Sequence, residues 1–109
     1  MVDTITDLDA RRLASISRAL SHPARVRIVR LLAAQAECSG SEVFAELPLA
    51  QSTVSEHLRV LREAGLVASH PVGTSMVYCL NREPLEGLLG SVAAMIANMP
   101  ACESEEGER

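Results

Sequence analysis

The sequence predicts a small, mainly helical domain that carries one β-hairpin. Three observations point there. Apolar residues recur at helical spacing along most of the chain. The spacing gives way to short β-prone runs only around "PVGT" at 71–74. Hydrophobic content is 48% but aromatics are 2%, so the core must be built from Leu, Val, Ile and Ala, which suits packed helices. At 109 residues the chain is one domain with tails, able to bury a modest core.

Residues 8–20 read as a first helix, with Leu8, Leu13, Ile16 and Leu20 roughly along one side. "SHPAR" interrupts it. Pro23 suits the first position of a second helix, where a backbone N–H is not needed, and Ser21 or His22 can cap it. That helix runs to about Gln35. Val26, Ile28, Val29, Leu31, Leu32 and Ala33 make it apolar almost all round, as expected of a central core helix. "SGSE" at 39–42 fits a capping box, with Ser39 as cap and Glu42 three residues on. It opens a short third helix through Val43, Phe44 and Leu47, ended by Pro48.

"LAQS" then leads tightly into a fourth helix over about 51–64, with Gly65 as its stop. Ala50 stands where a Ser or Thr cap would help, so Ser52 is the alternative cap. Val54, Leu58 and Leu61 form the apolar stripe of this helix; its other faces are polar. "LVASH" and "SMVYCL" flank the turn and form the hairpin. "NREP" restarts a helix on which Leu85, Leu88, Leu89, Val92, Ile96 and Met99 share a stripe, and Pro100 ends it. The folded domain is thus expected over 1–100, with 101–109 an acidic, disordered tail.

Charge is unevenly spread. The formal net charge is −4, yet residues 10–82 hold nine Arg against five Glu, a local +4. The acidic residues gather at the two ends. A basic centre fits a polyanionic partner, because the local field matters more than the total. All ten basic residues are Arg, each able to make bidentate phosphate or base contacts.

Several function classes are disfavoured. No apolar run approaches 18 residues, so no membrane span is expected, and the acidic first residues lack the apolar stretch of a signal peptide. Cysteines at 38, 79 and 102 form neither a disulfide framework nor a CxxC, so a reduced cytoplasm is the expected compartment. Ser55 and His57 are two apart on a helix and diverge, and no acid, Gly-rich loop or nucleophile motif completes a catalytic site. The protein is not expected to be an enzyme.

The element order α-α-α-α-β-β-α is that of a winged helix-turn-helix with an extra helix at each end. Across about 12–97 the chain also resembles the ArsR/SmtB family of bacterial transcriptional repressors. "SHPARVRIVRLL", "LPLAQSTVSEHLRVLREAGLV" and "GTSMVYCLN" carry the resemblance. The pattern S-x-V-S-x-H-L-x-x-L-x-x-x-G-L is more specific than a generic helix-turn-helix pattern. The resemblance implies a homodimer that binds operator DNA and lets go when a metal, metalloid or oxidant binds.

Read from the residues, a helix entering a major groove needs an exposed face of short polar side chains and Arg. Gln51, Ser52, Thr53, Ser55, Glu56 and His57 provide it, with Gln51 able to pair with adenine or bond a phosphate. Arg59 and Arg62, and Arg25 and Arg27 near the start of the second helix, are expected on phosphates. Gly73, Thr74 and Ser75 make a wing tip small enough to skirt the sugar-phosphate backbone. Leu8, Leu13, Ile16, Leu20, Leu85, Leu88, Leu89, Val92, Ile96 and Met99 are expected at a two-fold interface. Two recognition helices would then lie about 34–36 Å apart, one turn of DNA. The contrary arrangement folds the last helix back on its own domain.

The signal is harder to read. The family's metal sites are implied at a Cys-x-Cys opening the third helix, or at Asp-x-His and His-x-x-Glu on the last helix. Here Ser39 and Ser41 take the first place, with Cys38 just before them, and residues 83–100 hold no His. A hydroxyl does not replace thiolate for a soft ion. No metal ligands are therefore assigned, and a transition metal as inducer or corepressor stays open beside a partner sensor protein on the last helix or tail. His22 reads as a cap or phosphate neighbour and His70 as wing surface. With His70 facing Ser75, Cys79 would lie about 13 Å from His70 and act as a small buried residue. Cys38 and Cys102 could meet in the dimer as a disulfide, or with Glu103 and Glu105 around a metal. The competing reading is a winged-helix module that binds protein instead of DNA.

Overall fold

A computed structural model of the chain describes residues 2–101, and side chains from Ala10 onward. Its elements are α1 (Val2–Ala19), α2 (Pro23–Ala33), β1 (Ser39–Gly40), a 3-10 turn (Ser41–Phe44), α3 (Gln51–Glu63), β2 (Val67–Val72), β3 (Ser75–Leu80) and α4 (Arg82–Ala97). The mainly helical, hairpin-bearing architecture expected from the sequence is present. Its β component is larger by one short strand: the sheet is antiparallel in the order β1-β3-β2.

Local chemistry accounts for most boundaries. Pro23 opens α2, and the His22 side chain caps it by accepting from the Ala24 N–H at 3.0 Å. Gly65 follows α3 at φ +83, where a residue with a Cβ is strained. Asn81 joins sheet to helix: its Nδ2 donates to the Gly65 carbonyl at 2.7 Å and its backbone N–H to Leu66 at 2.9 Å. Pro71 lies within β2, which is tolerated because β2 is an edge strand.

The core gathers Ile16 and Ala19 of α1, Ile28, Val29 and Leu32 of α2, Phe44 and Leu47, the α3 stripe, and Leu66 with Val67. Ile28, Leu61 and Leu66 are its fully buried centre. Several expectations are corrected here. Ile16, assigned to a dimer contact, is only 2% exposed and belongs to the core. Leu20, Leu85 and Leu88 are half-buried against the same core. The short third helix is a 3-10 turn with no side-chain cap, because Ser39 and Gly40 pair with Tyr78 and Val77 of β3 instead of opening a helix. The hairpin register sets His70 opposite Val77 and Val72 opposite Ser75, leaving Gly73 and Thr74 as a two-residue turn.

His57 is a further correction. Expected on the DNA-reading face, it is 8% exposed and sits in the buried stripe of α3 with Val54, Leu58 and Leu61. Positions 54, 57, 58 and 61 follow the i, i+3, i+4, i+7 pattern of one helix face. Arg25 meets it there. One guanidinium nitrogen lies 3.2 Å from His57 Nδ1 and Nε donates to the Ala19 carbonyl at 2.7 Å. Arg25 is therefore a half-buried brace between the end of α1 and α3, not the phosphate contact expected. The His22 ring lies against His57 at a centroid distance of 4.5 Å. An Arg donor at Nδ1 requires a neutral imidazole protonated at Nε2.

Burial, then neighbouring His22 and Arg25, hold the His57 pKa below its ordinary value. The unfolded chain therefore binds a proton at His57 more readily than the folded one. Stability is lost as pH falls from the unfolded pKa, about 6.5, toward the lower folded value. His57→Gln keeps an acceptor for Arg25 and removes the titration. Urea midpoints measured from pH 7 to 5 are expected to fall more steeply for the parent than for this variant; parallel curves would refute the coupling.

Candidate nucleic-acid interface

Helix α3 presents two unlike sides. Anchoring Val54, His57, Leu58 and Leu61 inward leaves Gln51, Ser52, Thr53, Ser55, Glu56, Arg59, Arg62 and Glu63 exposed. Ala50 is the N-cap in extended conformation, and neither it nor Ser52 supplies a side-chain cap. The Thr53 and Val54 N–H groups both donate to the Ala50 carbonyl at 3.0 Å, and the N–H groups of Gln51 and Ser52 have no side-chain cap.

Arg59 is already engaged. It donates through Nε to Glu56 at 3.1 Å, through a second nitrogen to the other Glu56 oxygen, and through Nη1 to Glu63 at 2.7 Å. The hydrogen bond from Arg59 holds the Glu56 carboxyl below the usual carboxylate range, and the two carboxylates raise the Arg59 guanidinium above its ordinary value. Arg59 was assigned to phosphate contact and Glu56 to the reading face; together with Glu63 they form a local ion network. Arg62 is exposed and has no ion-pair partner among the described residues. Arg27 is likewise exposed, beside Arg30 and Glu46 at a shallow cleft.

The hairpin flanks this face. A cleft of about 460 Å³ runs between Ser52, Ser55, Arg59 and Arg62 of α3 and Tyr78 of β3. Tyr78 also packs edge-to-face with Phe44 at 5.6 Å, which ties β3 to the turn preceding α3. Beyond it the wing tip, Gly73, Thr74 and Ser75, is exposed, with Gly73 at φ +65. The amide, hydroxyls and guanidinium of this surface can donate and accept hydrogen bonds with base edges and phosphates. Tyr78 was not singled out from the sequence. Its half-buried place between the 3-10 turn and α3 depends on the β1–β3 pairing, which carries no periodic signal.

The expected interface residues divide. Ile16 is core, Leu13 is half-buried in a cleft with Pro84 and Leu88, and Arg12 pairs with Glu83 at 3.1 Å, so α1 packs on α4 within one chain. Leu89, Val92 and Ile96 remain exposed on α4, joined by Met95 and by Met99 just beyond its end. Leu8 lies outside the described side chains.

Cysteine placement departs from expectation. Cys79 is not a free buried thiol. It is bonded to Cys38, with Cα atoms 4.5 Å apart. Cys38 therefore already has a partner within its own chain, and Cys102, Glu103 and Glu105 lie outside the described residues. Among the described residues no three His, Cys, Asp or Glu side chains are grouped to hold a metal ion. A sulfur tied in a disulfide is not a thiolate ligand, so the described residues do not assemble a soft-metal site. His70 is exposed on β2, and no described helix is long and apolar enough to cross a membrane.

Comparison with known proteins gives this surface its context. Residues 22–69 match the family described as bacterial regulatory protein, arsR family. The chain is 33% identical over 86 residues to the HTH-type transcriptional regulator Rv0081 of Mycobacterium tuberculosis, covering 79% of this chain and 75% of that one. It is 36% identical over 84 residues to the HTH-type transcriptional regulator CmtR of the same organism, covering 77% and 70%. An ArsR-like transcriptional regulator from Rhodococcus sp. RHA1 superposes with a TM-score of 0.68 at 28% identity, covering 81% of this chain and 82% of that one. These relatives are transcriptional regulators and not enzymes, and the chain belongs to the ArsR family of winged helix-turn-helix regulators.

Proposed function

We propose that the protein is a repressor that binds a two-fold DNA operator as a homodimer in the bacterial cytoplasm. The observation that carries this reading is the exposed polar side of α3, Gln51 to Ser55 with Arg62, flanked by a small wing tip. Gln51, Ser52, Thr53 and Ser55 read base edges. Arg62 and Arg27 contact phosphates, and Gly73, Thr74 and Ser75 follow the backbone. Arg59 orders the face through Glu56 and Glu63 more than it binds phosphate.

The dimer reading rests on α4. Leu89 is 71% and Ile96 64% exposed, and Val92, Met95 and Met99 extend the same apolar surface. Such a continuous patch on a small protein marks an association site. A second copy offers the same patch in return, which a two-fold axis requires. The effector that modulates binding, whether metal ion, oxidant or partner protein, acts on this dimer.

Two measurements test the reading. Gel shifts on DNA upstream of the protein's own gene are expected to weaken steeply with salt. Arg62→Ala should lower affinity for all sequences and reduce the logarithmic salt slope by about one, whereas Gln51→Ala should cost about 1–3 kcal/mol at a single operator position. Salt-independent or absent binding favours the protein-interaction reading. Separately, Ile96→Asp is expected to shift sedimentation at micromolar concentration from dimer to monomer and to weaken operator binding at least tenfold, by roughly 1.4 kcal/mol or more. A monomeric parent would overturn the dimer.

A further inference from the structure

We infer that Cys38 and Cys79 form a reversible oxidation site that clamps the DNA-reading head to the wing. The inference rests on the regulator reading above for its consequence, though not for its chemistry. The two cysteines are bonded across a sequence separation of 41. Everything between them is the reading head: the 3-10 turn, α3, β2, the wing tip and most of β3. The bond thus closes a ring around α3 and the wing, just after the chain leaves α2.

The non-covalent link at that point is slight. Strand β1 is two residues long, pairing Ser39 with Tyr78 and Gly40 with Val77. Its residues are polar or lack a side chain, so the ladder has almost no apolar burial to support it. Cys38 directly precedes Ser39, and Cys79 directly follows Tyr78. The disulfide therefore sits at the open end of this ladder and holds it shut. Without the bond, residues 34–40 keep two ladder positions to fix them against β3.

Access is also in place. Cys38 is exposed and lines an open cleft of about 520 Å³ with Ala36, Glu37, Tyr78, Leu80 and Leu85. A small oxidant or thiol reaches the sulfur from that side. The reaction is a two-electron oxidation by hydrogen peroxide. The Cys38 thiolate attacks one peroxide oxygen; the S–O bond forms, the O–O bond breaks and hydroxide leaves as water. The Cys79 thiolate then attacks the resulting sulfenic sulfur; the S–S bond forms, the S–O bond breaks and a second hydroxide leaves as water. Both thiol protons end in the waters, and the peroxide is reduced. A low-molecular-weight thiol reverses the bond by exchange, attacking the exposed Cys38 sulfur first.

In a compartment that keeps thiols reduced, such a bond forms only when oxidant rises, so it acts as a signal and not as a permanent staple. The clamped head is preorganised, because the turn preceding α3 and the wing strand are locked together. Oxidation is accordingly expected to tighten operator binding.

The test uses the full chain, reduced with dithiothreitol and then treated with hydrogen peroxide. Non-reducing digestion with mass spectrometry is expected to link the Cys38 and Cys79 peptides, to leave Cys102 free, and to show reversal by dithiothreitol. A Cys38–Cys102 link, or sulfinic acid without a disulfide, overturns the assignment. Amide exchange at Ser39 and Gly40 should slow about tenfold on oxidation; unchanged exchange overturns the clamp. Operator affinity should rise about threefold or more on oxidation in the parent and stay constant in the Cys38→Ser, Cys79→Ser double variant. Equal affinity of the two parent forms overturns the coupling to DNA. If no form, the double variant included, binds DNA, it is the regulator reading that fails, and peptide mapping and exchange still decide the cysteine site.

Discussion

Helix α3 is held by a stripe of four side chains, Val54, His57, Leu58 and Leu61, and the direction of every exposed residue on it follows from that anchoring. Three members are apolar and lose water on burial. The fourth, His57, could have been a liability, since an unpaired buried imidazole costs free energy. Arg25 removes the cost by donating to it, and uses its other donor on the last turn of α1. A single guanidinium thereby links the end of α1 and the start of α2 to the recognition helix. Rotating α3 by one residue would bury Ser55, Arg59 and Arg62 and expose Val54 and Leu61, so the polar face is defined by what lies behind it.

The same economy governs charge. The central region is basic by count, yet much of that charge is used within the chain. Arg12 pairs with Glu83, Arg82 with Glu86, Arg59 with both Glu56 and Glu63, and Arg25 is turned inward. Exposed surface pairs of this kind contribute little stability, about 0–1 kcal/mol each. Their larger effect is to remove cations from the outward field. What faces outward on α3 is a nearly neutral, hydrogen-bonding surface with Arg62 as its cation free of an ion pair among the described residues.

Periodicity made α2, α3 and α4 legible because each carries a regular apolar stripe, and the hairpin was legible from short β-prone runs on either side of a Pro- and Gly-bearing turn. The family resemblance, carried by residues 52–66, was legible for the same reason: its apolar positions and Gly65 are local requirements of the fold. What the sequence hid is tertiary. His57 reads as polar-face until Arg25 is seen opposite, although its spacing from Val54 and Leu61 already placed it in the stripe. Strand β1 has two residues and no pattern, and exists only because β3 offers an edge. The shift of His70 from Ser75 to Val77 reflects a turn shorter than "PVGT" suggests: Pro71 and Val72 stay in the strand, since an edge strand tolerates Pro.

The disulfide follows from that hidden strand, and its position argues about purpose. Small domains acquire cross-links when their cores are too small to hold them together. This domain has a continuous core from α1 to β2, with Ile28, Leu61 and Leu66 fully buried, and neither Cys38 nor Cys79 is among the buried core residues. It joins two segments on the rim instead, one of them exposed, where a permanent staple would add least to the packed centre. A cross-link placed away from the core, across a ladder too short to persist unaided, and around the segment that faces the ligand is positioned to change how that segment is held without deciding whether the domain folds. That separation lets a chemical event at Cys38 alter the reading head while α2 and the α3 stripe keep the scaffold intact.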